Sequence, residues 1–209
     1  MAIAGAIGII GANEIENGAV TNDKLAGSIA NAKLANDSVT VNGTSIDLGA
    51  SETITAGKVL QVVSTTKTDV FSTTTQTTYV DVTGFSVTIT PSSTSSKIYL
   101  VTNVQLGSNE MFYIRFLRGS TAIAIADDDS ANRVESTQGG VFPASNNDKV
   151  APMGASFLDS PNTTSATTYK LQIRMHTGSA LRFNACFSDS DSTFTGRGVG
   201  TLTAFEIAG

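Results

Sequence analysis

From residue 57 onward the chain alternates apolar and polar side chains with a period of two, and this alternation narrows the possible folds more than any other feature. It is clearest from Thr168 to Met175, where Tyr169, Leu171, Ile173 and Met175 fall on one side and Lys170, Gln172 and Arg174 on the other. Leu181, Phe183, Ala185 and Phe187 repeat the pattern. So do Phe85, Val87 and Ile89, then Ile98, Leu100, Val104 and Leu106, then Phe112, Ile114 and Phe116. Gly84 marks an expected bulge, Pro91 and the Ser/Thr cluster after it end a strand, and Gly119 with Ser120 form a hairpin turn into a strand over 121–126. Residues 58–66, KVLQVVSTT, are nearly continuous in apolar character at their start, which predicts a strand buried on both faces. Residues 152–158 and 200–207 complete the set; in the latter Phe205 and Ile207 face one way, Ala204 and Glu206 the other.

The polar stretch between Asp127 and Asp148 reads as a long surface excursion with one or two weak strands around Val141 and Phe142. No helical period is sustained after residue 57. About eight to ten strands with short turns predict a mainly β domain, an antiparallel sandwich or barrel, with a jelly-roll-like sandwich preferred. Composition agrees: about a quarter of the 209 residues are Ser or Thr, which suit a pleated surface, and 19 Gly supply turns.

Residues 13–56 follow another rule. GAVTNDKLA at 18–26 is echoed at once by GSIANAKLA at 27–35, so that Val20, Leu25, Ile29, Leu34 and Val39 recur at a spacing of about five, which fits neither a strand nor a heptad. So few large side chains cannot bury a core without copies of themselves, and interchain partners supply those copies. These five positions are therefore the expected contacts of a short extended or partly helical neck; a flexible low-complexity linker is the other reading. The start, MAIAGAIGIIGA, is too short to span a bilayer and reads as a docking or fraying segment. The expected organisation is a docking segment at 1–17, a neck at 18–56 and a head at 57–209.

A net charge of −5 with no basic run argues against nucleic-acid binding. One Cys and one His exclude a disulfide framework and most histidine-rich metal sites. Asp127, Asp128 and Asp129 with Asn132, and Asp189 with Asp191, offer clustered oxygens but no EF-hand spacing, and read better as solvated turns than as Ca²⁺ sites. His176 lacks the nucleophile and orienting carboxylate of a catalytic site, and Cys186 reads as a small buried or interface residue. No cofactor and no enzymatic activity are expected. Glu206 stands among apolar neighbours, where a charge needs a partner; Arg115, Arg118, Arg174 and Arg182 are the available ones, within the chain or across an interface.

The unit GAVTNDKLAGSIANAKLANDSVTVNGTSIDLGASETIT resembles the repeat-bearing neck of tail-fibre and other virion appendage proteins of tailed bacteriophages. The stretch from Gly57 to Val101 is similar to the opening of the globular head in that group, and GTLTAFEIAG to its closing strand. Such heads resemble the trimeric jelly rolls of the tumour necrosis factor and complement-type superfamily. The resemblance implies a homotrimer with the last strand, including Phe205, Glu206 and Ile207, near the axis. It also implies contact through the N-terminal segment with other virion proteins (tail adaptor, nozzle or capsid), a virion location, and display toward a host-surface glycan or protein. A capsid decoration or head-fibre protein, and a carbohydrate-binding module, are the alternatives.

Overall fold

In a computed structural model, residues 35–41, 44–52, 59–127, 132–141, 147–178 and 180–209 are described. The chain divides into two compact units, Met1–Ala56 and Gly57–Gly209. Within the first, β1 (Ser38–Val41) and β2 (Thr44–Asp47) form an antiparallel pair in which Val39 opposes Ile46. Val39 is exposed. Val20, Leu25, Ile29 and Leu34 lie outside the described residues.

The second unit is built from strands β3 (Val59–Lys67), β4 (Phe71–Thr73), β5 (Val80–Ile89), β6 (Lys97–Ser108), β7 (Phe112–Arg118) and β8 (Thr121–Ile123). These are followed by β9 (Gln138–Gly140), β10 (Ala151–Asp159), β11 (Thr167–Met175), β12 (Leu181–Phe183) and β13 (Gly200–Ile207). Strand β6 pairs with β10 along one edge over Ile98–Leu106, so β13 at Lys97–Asn103 and β12 at Leu106–Ser108 must share its other edge as one interrupted row. Beyond that row, β3 lies against β13 and β4 against β12. By the same argument β11 occupies one edge of β7, and β8 and β9 share the other.

Counted as eight rows in chain order (β3 with β4, β5, β6, β7, β8 with β9, β10, β11, β12 with β13), the sheets run 1-8-3-6 and 2-7-4-5. Row 1 neighbours 8, 2 neighbours 7, 3 neighbours 6 and 4 neighbours 5. A long antiparallel hairpin rolled into two facing sheets gives these pairings, and they define a jelly-roll sandwich.

The core is the sum of the inward sides of the alternating strands. Ile98, Leu100, Val104 and Leu106 of β6 and Leu202 and Ala204 of β13 face Phe85, Val87, Ile89, Phe112, Ile114, Phe116 and Leu171 of the other sheet, all fully buried or nearly so. Phe85 and Phe183 link the sheets with ring centroids 4.9 Å apart. Each large side chain of this set contributes about 1.5–3 kcal/mol by leaving water. At one end, buried Asp159 of β10 accepts from the Tyr169 hydroxyl at 2.6 Å and from Arg118 at 2.9 Å, which ties the sheets together through a satisfied carboxylate.

Three elements depart from the sequence expectation. The strand after Gly119 ends at Ile123 because Ala124 takes φ 54°, a left-handed conformation that stops pairing. The run through Phe187 stops at Phe183, where Asn184 has φ 65° and the chain leaves the sheet for residues 185–199. Gly107 of β6 permits that departure: a Cβ there would lie 2.3 Å from the Ala185 carbonyl oxygen. Strand β3 exists as expected but is covered on one face only, with Val59, Leu60 and Val62 exposed at 52%, 39% and 54%. Gly84, at φ 75°, sits where the β5–β11 register shifts, as a bulge requires.

Candidate functional site

The two outer faces of the sandwich differ in chemistry. On the sheet holding β3, β13, β6 and β10, the cross-strand register aligns Val62, Phe205, Tyr99 and Leu158 in one line four rows wide. Val62 and Leu158 are more than half exposed, Tyr99 is 38% exposed, and the Tyr99 and Phe205 rings lie 6.2 Å apart. Ile207 and Val101 border this stripe, and Ser64, Thr203, Thr201, Asn103 and Ser156 continue the face with uncharged groups. Gly154 carries no side chain there, leaving a groove of about 330 Å³ along Tyr99, Val101, Asn103 and Ser156. Among the described residues of these four strands the outer face bears one ammonium, Lys97 at its end, whose Nζ donates to Ser160 Oγ at 2.9 Å.

The other outer face is charged. Asp81 of β5 accepts from Lys170 and, at 2.7 Å, from Gln172 of β11. Burial pushes the Asp81 carboxyl up, but these two donors outweigh it and hold it below the usual carboxylate range. Beside them Arg115 of β7 and Arg174 of β11 converge on Tyr79, which precedes β5. Burial pushes the Tyr79 hydroxyl up to about 12 against the opposing pull of both guanidiniums, so the ring stays neutral.

The individually expected residues fall as follows. Glu206 is 1% exposed and points into the sandwich, and within the chain none of the four arginines reaches it. Instead Ser92 donates to Oε1 twice at 2.6 Å, from its backbone N–H and its hydroxyl, and Gln61 donates to Oε2 at 2.7 Å. Burial would raise this carboxyl; the hydrogen bonds from Ser92 and Gln61 prevail and bring it down to about 2. The arginine pairing is thus replaced by a neutral donor set, because the turn after Pro91 delivers an N–H and a hydroxyl to the strand end. Phe205 and Ile207 are half-buried on the outer face.

Asp189 is engaged by Arg197 at 3.0 and 3.2 Å and lies 3.7 Å from Arg182, so a cation there would have to displace two guanidiniums. Asp191 is exposed beside it, Asp127 is exposed, and Asp128 and Asp129 lie outside the described residues. No group of three His, Cys, Asp or Glu side chains among the described residues is placed to hold a metal ion. His176 is exposed, its N–H bonded to the Met111 carbonyl at 2.9 Å. Cys186 is buried beneath Gly107. The Tyr79, Arg115 and Arg174 cluster was not visible in the sequence: its members are 36 and 59 residues apart along the chain and meet only through the order β5-β11-β7.

Solved structures similar to this chain include three of viral origin. A chain of infectious bursal disease virus Gx strain is 16% identical over 71% of this chain, with TM-score 0.35. One from infectious bursal virus-derived T=1 particles is 14% identical over 83%, with TM-score 0.37. One of the Gt strain is 13% identical over 82%, with TM-score 0.33. The aligned region covers 37%, 41% and 42% of those chains respectively, so this chain spans about two fifths of their length. No family model matches the chain, and no curated protein does.

Proposed function

We propose that the chain is a virion structural protein without catalytic activity, a short appendage whose residues 1–17 dock on the particle and whose residues 57–209 form a homotrimeric head. The observation that carries this reading is the outer face of the β3, β13, β6 and β10 sheet, uncharged but for Lys97 at its end, with its stripe of Val62, Phe205, Tyr99 and Leu158. A run of apolar residues in β3 supplies both the core and this outer stripe, and an outer stripe of that kind is stabilised when it leaves water. A second copy of the same chain suits it, since the stripe itself carries no charge and Lys97 lies at the end of the face, whereas the opposite face carries Asp81, Lys170, Arg115 and Arg174. The number three comes from the resemblance of the neck and the closing strand to phage appendage proteins. Multivalent display of three heads would turn weak single contacts with a host-surface glycan or protein into useful avidity.

The test is the mass of the intact protein in solution by light scattering, together with antibody labelling of purified particles. A mass of three chains and label on the particle surface are expected; a single-chain mass at micromolar concentration would overturn the assembly.

A further inference from the structure

We infer that the groove between Tyr79, Arg115 and Arg174 binds an acidic saccharide, a sugar ring bearing a carboxylate or a phosphate. The Arg115 guanidinium carbon lies 3.9 Å from the Tyr79 ring centroid, and that of Arg174 lies 6.0 Å from Tyr79 and 5.6 Å from Tyr113. The frame is rigid: Arg115 Nε donates to Gln172 Oε1 at 2.8 Å, and the Tyr79 hydroxyl donates to the Glu135 carbonyl at 2.8 Å. Arg115 opposes Gln172 in the β7–β11 register, and Arg174 lies two residues further along β11, so two cations sit on neighbouring strands of one face. Like charges so placed cost free energy. Asp81 attracts Arg115 but relieves the pair only in part, because its carboxylate oxygens are engaged by Lys170 and Gln172 and neither guanidinium is bonded to them.

The second observation is Arg174 Nη1, which is buried and finds no acceptor among the described residues. An unsatisfied buried donor on a charged group is disfavoured in a folded chain, and an oxyanion delivered to that nitrogen would satisfy it with a charge-assisted bond. The groove measures about 280 Å³ and is lined further by Asn132, Arg133, Val134 and Glu135. Arg133 has a partner of its own and is not needed here.

The lining selects the ligand class. Guanidiniums only donate and call for an anion; the Glu135 carboxylate only accepts and calls for hydroxyl or amide donors; Tyr79 and Val134 offer apolar surface. A sugar acid presents all three on one ring, its anion toward Arg115 and Arg174 and its hydroxyls toward Glu135. A simple carboxylate presents only the first. The volume lies at the small end of ligand sites, roughly 300 Å³, and is enough to seat one ring. This site stands on the arginine and tyrosine geometry and holds whether or not the opposite face assembles copies.

Calorimetric titration of the full-length protein tests it with three probes: a galacturonate tetrasaccharide, glucose 6-phosphate and neutral maltotetraose. Saturable binding of either acidic probe at millimolar concentration or tighter, weakened by added salt, is expected; which of the two binds identifies carboxylate or phosphate as the anion. Arg174→Gln should weaken binding by about tenfold or more, with Arg174→Lys retaining part of it and the melting temperature unchanged. Should Arg174→Gln unfold the head, Arg115→Gln gives the same reading from the other strand. Equal binding of maltotetraose, or saturable binding of neither acidic probe, overturns the proposal. Chain mass is measured separately, so failure here and failure of the trimer are distinct results.

Discussion

Glu206 shows how a single buried charge is accommodated without an ion pair. Its carboxyl sits at about 2 in the folded head against an ordinary value of 4.5, so the unfolded chain binds the proton more readily. Stability from this group is therefore complete above about 4.5 and is lost as pH falls toward about 2, the direction required of a carboxylate whose folded value is depressed. Melting curves between pH 2 and 6 should show this acid limb in the native protein. Glu206→Gln should flatten it and cost about 2 kcal/mol at neutral pH, since the amide keeps one acceptor oxygen for Ser92, loses the charge that strengthened both bonds, and sets a donor where Oε2 accepted from Gln61. A variant with the native acid limb would assign that limb to other carboxylates. The sequence signalled that Glu206 needed a partner but pointed to arginine. A carboxylate in a strand advertises its charge, whereas a backbone N–H at the start of a serine-rich turn is invisible until the turn is placed against it.

The alternating strands were legible because a half-buried strand writes its two faces into the sequence, as β6, β7 and β11 do. Boundaries were less so. Nothing in the residue type of Ala124 announces its positive φ, and Asn184, a type that adopts it more readily than most, takes it only because of where the chain must turn next. The β1–β2 pair left a signal that the repeat pattern overshadowed, namely Asn42 and Gly43 between alternating Val39, Val41 and Ile46. Strand β3 carried the opposite ambiguity, since a continuous apolar run requires two covers without saying whether one chain supplies both. Gly107→Ala tests the crossing of β6 by residues 185–186. The added methyl meets backbone on the far side, so a loss of about 3 kcal/mol or more in denaturant unfolding is expected. A change near zero would mean that the 185–199 excursion shifts without cost. At the same scale, Val62→Lys or Leu158→Lys places a charge in the outer stripe, where each native side chain is more than half exposed. Either variant should leave the melting of the isolated head within about 0.5 kcal/mol while dissociating the oligomer in sedimentation. Undiminished association would remove this face from the contact.

For the whole molecule, the contrast between faces sets two opposite responses to ionic strength. Contact through an uncharged apolar sheet should persist or strengthen in 1 M sulfate, while binding at Arg115 and Arg174 should fall as salt screens the guanidiniums. Sedimentation and titration across the same salt series check both. The row order adds a constraint on synthesis. Because β13 lies between β3 and β6, β3 has no strand partner until residues 200–207 are available, although β12 by then joins β4 to β6. Most of the head can be translated before that sheet can close. A ribosome that stalls before residue 200 releases a chain with unpaired strand edges on either side of the gap, a substrate for proteolysis rather than a defective but folded head.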